Sequence, residues 1–142
     1  MKKYSICLLA MILLIVSAAF VNAATTIQAT AEKSAPVFSV VRMLIAGSIE
    51  NREPVGAVSA YSASTDKVYC FLEAAEIKEN TEVSFVWYHE DRRMATVTLP
   101  LMKGPKWRTY SSKRLGGLIG AWKVELHDAS GNIIIDAGFT VE

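Results

Sequence analysis

Residues 107–113 read Trp107-Arg108-Thr109-Tyr110-Ser111-Ser112-Lys113. Aromatic faces beside guanidinium and ammonium groups are what anions, sugar rings and protein hot spots use. Extended, the segment puts Trp107, Thr109, Ser111 and Lys113 on one side and Arg108, Tyr110 and Ser112 on the other. Each side then carries an aromatic and a cation. Residues 92–124 hold eight Lys and Arg with no acid among them, whereas residues 66–91 are rich in Asp and Glu. The pattern predicts a basic surface beside an acidic one. The candidate binding residues are therefore Trp107, Arg108, Tyr110 and Lys113, with Arg52 added where the fold brings it near. The structural alternative is a clasp, in which tryptophan fills the core and Arg108 pairs with Glu50 or Glu53.

Other constellations are weaker. Ser111-Ser112-Lys113 places a hydroxyl beside an amine, but a serine–lysine dyad needs helical spacing or partners assembled by the fold. His89-Glu90-Asp91 could ligate a metal, yet it occupies the polar tip expected of a hairpin, and His127 has no convergent partner. The sequence has no glycine-rich phosphate loop and no nucleophile elbow. No catalytic residue, metal ligand or cofactor is assigned on these grounds. Paired carboxylates for glycoside hydrolysis depend on tertiary separation, so a small hydrolase of the periplasm stays as the alternative to a binding module. Glu50-Asn51-Arg52-Glu53-Pro54 reads as a turn, knitted internally or displayed as a recognition loop.

The amino terminus predicts where such a surface would work. Lys2 and Lys3 precede an apolar run from Ile6 to Val21, and Val21-Asn22-Ala23 supplies small residues for a signal peptidase. Residues 1–23 read as a signal peptide, cleaved before Ala24, and the protein as exported, periplasmic or extracellular. Membrane contact is expected only through that segment, were it retained. Of 142 residues, removal of 23 leaves 119; 15 Lys and Arg less Lys2 and Lys3 leave 13 against 14 Asp and Glu, a net charge of −1. Nucleic acid is not the expected partner of such a chain. An envelope protein or an anionic glycan, peptidoglycan included, is. Cys7 departs with the leader, so Cys70 has no disulfide partner and reads as a buried hydrophobe.

Strands must position these residues. Residues 24–36 lack periodicity and read as a flexible leader before one domain over 37–142. From Val37 the apolar residues alternate with period two, as in Val83, Phe85, Trp87 and in Trp122, Val124, Leu126. The expected strands are 38–47, 68–73, 82–88, 93–99, 107–111, 120–127 and 132–141. Asp128 to Asn132 and His89 to Arg92 supply hairpin turns. The expected fold is all-β: a small antiparallel sandwich of immunoglobulin-like type with about seven strands, or alternatively a small barrel.

In order, Glu50-Asn51-Arg52-Glu53-Pro54, Val68-Tyr69-Cys70-Phe71, Trp87-Tyr88, Trp107 to Lys113, Gly120-Ala121-Trp122-Lys123-Val124-Glu125, and Asp128 with Gly131 form a set. Together they resemble the bacterial domain of unknown function numbered 2914, over about residues 38–142. The resemblance implies an exported or membrane-attached β-domain and carries no activity. Phe85 stands where members often have histidine, so it implies no histidine chemistry here.

Overall fold

The computed structural model describes residues 35–142. The expected signal peptide and nearly all of the expected leader lie outside the described residues. The domain is all-β. Ten strands follow one another: β1 (Ser39–Ala46), β2 (Ser48–Glu50), β3 (Glu53–Val55), β4 (Ala60–Tyr61), β5 (Lys67–Ile77), β6 (Thr81–His89), β7 (Arg92–Leu101), β8 (Gly104–Arg114), β9 (Gly120–His127) and β10 (Ile133–Val141). The seven long ones fall where alternation places them. The three short ones, β2, β3 and β4, carry too few residues for a period to be read.

The strands form a three-stranded sheet, β1-β5-β8, a five-stranded sheet, β4-β10-β9-β6-β7, and a separate two-stranded hairpin, β2-β3. None of these sheets closes into a barrel; the two larger ones stack as a sandwich. Val68, Cys70, Leu72 and Ala74 of β5 face Val83, Phe85 and Trp87 of β6 and Trp122, Val124 and Leu126 of β9 in one apolar cluster. All ten are at least 98% buried. Trp87 Nε1 donates to Ser111 Oγ at 3.0 Å, a buried bond from one sheet to the other. Burial pushes the Cys70 thiol well above the ordinary range, which leaves it unreactive.

Turns finish the frame. Glu90 and Asp91 join β6 to β7 with φ of 46° and 61°, the signs that a tight two-residue hairpin demands. Glu90 is exposed, yet its carboxylate accepts from the Ala121 amide at 2.8 Å. His89 Nε2 lies 2.7 Å from the Ile119 carbonyl, and its ring packs 4.7 Å from Trp122. His89 and Glu90, candidates for metal chemistry in sequence, thus brace the link between β8 and β9.

Candidate functional site

The outer face of the three-stranded sheet carries the polar chemistry. Strand register sets it. Arg42 of β1 pairs with Glu73 of β5, and Glu73 pairs with Arg108 of β8, so these three lie in one row across three strands. Phe71 and Tyr110 form part of the next row. Because successive residues alternate, Phe71 and Glu73 point away from the core that Cys70 and Leu72 enter. Yet Phe71 is 1% and Glu73 4% exposed. The cover is hairpin β2–β3, which packs on β1 and β5.

Glu73 is the centre of an ion-pair network. Arg42 donates to it through Nε at 2.8 Å and Nη2 at 2.7 Å, Lys106 Nζ at 3.0 Å, and Arg108 Nε at 3.3 Å. Hydrogen bonds from Lys106 and Arg42 outweigh desolvation and lower its pKa from 4.5 to about 2. Glu53 of the hairpin sits above the same arginines, 2.6 Å from Arg42 Nη2 and 2.8 Å from Arg108 Nη1. Bonds to Glu53 and then Glu73 raise the pKa of Arg42. The Arg42 guanidinium also lies 5.0 Å from the centre of the Phe71 ring.

Two adjoining recesses open between the hairpin and β8. One, about 220 Å³, is lined by Ile49, Arg52, Phe71, Arg108, Thr109 and Tyr110. The other, about 270 Å³, is lined by Asn51, Arg52, Lys106, Trp107 and Arg108. Arg52 and Arg108 belong to both. Asn51 and Arg52 form the hairpin turn with φ of 49° and 62°, a left-handed conformation that costs a non-glycine residue energy. That turn holds Arg52 over the cleft. Among the described residues, no carboxylate lies within ion-pair distance of Arg52.

Four of the five residues singled out in sequence, Arg52, Trp107, Arg108 and Tyr110, therefore line one cleft. Lys113 does not. It lies on the other side of β8 from Arg108, and its Nζ donates to the Arg114 carbonyl at 3.0 Å. Trp107 packs partly against the core, and Tyr110 is 48% exposed. Nor do acidic and basic stretches make two separate surfaces around the cleft. Antiparallel pairing of β5 with β8 sets Glu73 against Lys106 and Arg108. Sequence reasoning missed Arg42, Glu73 and Lys106. The available signal was a charge inside an apolar strand: Arg42 interrupts Val40 to Ile45, and Glu73 interrupts Val68 to Ala75.

A second buried carboxylate lies on the outer face of the five-stranded sheet. Glu125 meets Lys123 Nζ at 2.8 Å and His127 Nε2 at 2.9 Å. The bond to Lys123 leads in lowering its pKa, followed by that to His127.

No curated protein matches the chain. Among solved structures, the chain is similar to a beta-glucosidase from Kluyveromyces marxianus at 14% identity and a TM-score of 0.42, covering 54% of this chain and 13% of that one. The family match is narrower than the sequence resemblance, beginning near β6 rather than β1. It includes Lys106, Trp107, Arg108 and Tyr110 but leaves out Arg42, Arg52, Glu53 and Glu73. Residues 80–141 match the model described as "Protein of unknown function (DUF2914)".

Proposed function

We propose that this chain is an exported, non-enzymatic binding module that holds an anionic glycan of the cell envelope in the cleft between hairpin β2–β3 and β8. One observation carries the reading: Arg52 and Arg108 face the same cleft, where Arg42, Arg52, Lys106 and Arg108 stand against Glu53 and Glu73, an excess of two positive charges. A guanidinium fork accepts a carboxylate in two hydrogen bonds, and the exposed Tyr110 ring beside it offers a face for a sugar. The titratable groups favour holding charge over moving protons. Glu73 stays ionised down to a pH of about 2, and its partners are arginines and a lysine. The leader sequence supports export.

Calorimetric titration of the protein beginning at Ala24 with oligogalacturonate tests the reading. We expect binding that weakens steeply with salt and falls about tenfold in Arg52→Glu, since reversing one exposed contact charge removes on the order of 1.4 kcal/mol. An acidic peptide such as oligoglutamate, titrated in parallel, identifies a protein partner if it alone binds. Equal affinity for wild type and Arg52→Glu refutes the cleft as the recognition surface. Intact mass of the protein recovered from the producing cell checks export: a chain starting at Ala24 is expected, and one retaining residues 1–23 contradicts it.

A further inference from the structure

Glu53 sits where a ligand's carboxylate would sit. Its two oxygens reach different arginines, Oε2 to Arg42 and Oε1 to Arg108. The arginines do not depend on Glu53 for their posture, because Glu73 holds each of them by its Nε from the sheet beneath. Removing Glu53 therefore leaves a preorganised pair of guanidinium groups open to solvent.

The element that carries Glu53 stands apart from both large sheets. Hairpin β2–β3 is its own sheet, with only three residue pairs, Ser48–Val55, Ile49–Pro54 and Glu50–Glu53. Displacing it breaks no ladder in either large sheet. Its ends meet at two glycines: Gly47 donates its amide to Val55 O at 3.0 Å and Gly56 O at 3.2 Å. Gly56 has φ of 69°, and Tyr61 Oη donates to its carbonyl at 3.2 Å. Backbone freedom at such a neck is what a hinge requires.

We propose that Glu53 is an internal competitor, and that the ligand of the cleft is a carboxylate-bearing chain which displaces it as the hairpin tilts about Gly47 and Gly56, with Arg52 at its tip still reaching the ligand. The inference rests on the anion reading of the cleft. Exchange of one carboxylate for another conserves the charge and the hydrogen bonds on Arg42 and Arg108. Phosphate or sulfate can bridge the same two guanidinium groups but brings no chain to lie on the floor beneath them. Opening also uncovers Phe71, an apolar floor for the rest of the ligand.

Removing the competitor raises affinity by the inverse of the fraction of molecules already open. A hairpin closed in about nine molecules of ten gives a gain of about tenfold. Glu53→Gln and wild type are titrated with oligogalacturonate, with inorganic phosphate as the second arm and thermal melting as the check on folding. We expect tighter oligogalacturonate binding by Glu53→Gln and little response to phosphate. Binding by wild type with no gain in the variant overturns the competitor role and leaves the anion cleft standing. Binding by neither protein overturns both. Hydrogen exchange on wild type decides the matter without a variant: oligogalacturonate should speed exchange of the β2–β3 amides, and protection of them overturns the proposal.

Discussion

Arg108 and Lys113 look alike in sequence and differ in the fold. Arg108 spans two carboxylates, one of them almost fully buried, while Lys113 touches only a neighbouring carbonyl. Arg108→Glu would bring a third carboxylate against Glu53 and Glu73, and it should cost about 2–4 kcal/mol. Lys113→Glu should stay within about 0.5 kcal/mol, as exposed substitutions do. Urea melts of both variants check this contrast. Glu73 predicts a pH effect of defined sign. Its pKa in the folded protein, about 2, lies below the ordinary 4.5. Its contribution is thus complete above about pH 4.5 and drains away as pH falls toward 2. Wild-type stability should decline across that window, and Glu73→Gln should be less stable at neutral pH with a flatter acid limb. The residue types of the cleft were legible in the sequence, and so was one pairing, Arg108 with Glu53, but not the part played by Arg42 and Glu73. Arg42, Glu53 and Glu73 meet only because β1, the hairpin and β5 are superposed, and no local spacing encodes that.

Strands announced themselves where one face is core and the other solvent. Trp122 illustrates the success: it alternates with Lys123, and it is 2% exposed with Val124 and Leu126 on the same side. It also stacks on Phe139 with ring centres 6.0 Å apart and donates to the Leu118 carbonyl at 3.0 Å. Trp122→Ala should cost about 3–5 kcal/mol in denaturant titration. Hairpin β2–β3 illustrates the failure. Three-residue strands have no readable period, and the turn uses Asn51-Arg52 rather than the glycine that usually marks left-handed backbone. A tighter constraint lies at Gly120. Its φ is 113°, and a Cβ there would collide with the Glu90 carboxylate that caps Ala121. Gly120→Ala should cost about 1–3 kcal/mol. Adding Glu90→Ala should not restore stability, because the backbone strain remains and the Ala121 amide loses its acceptor. Thermal melting of the single and double variants measures both effects.

At the scale of the molecule, the sandwich needs neither disulfide nor metal to account for its core. The protein should give a β-type circular dichroism spectrum that reductant and chelator leave unchanged. Cys70 should resist thiol reagents until the chain unfolds. The fold class was visible in the alternation of strands such as β6 and β9, although β5 is buried on both sides and β10 exposes Ile133, Ile134 and Ile135. The sheet order was not, because which strand lies beside which depends on the whole set of pairings. The family match spans β6 to β10, so it contains one wall of the cleft and not the hairpin that closes it. The other wall belongs to a part of the chain that the match does not reach.

The chain's three tryptophans are unequally placed. Trp87 and Trp122 are 0% and 2% exposed, sealed in the core, whereas Trp107 lines the cationic recess beside Arg52. The molecule thus contains its own optical probe. Iodide, itself an anion drawn to that recess, should quench Trp107 emission and leave the other two untouched. The remaining signal should be blue-shifted and insensitive to quencher, so occupancy of the cleft can be followed by fluorescence without any label.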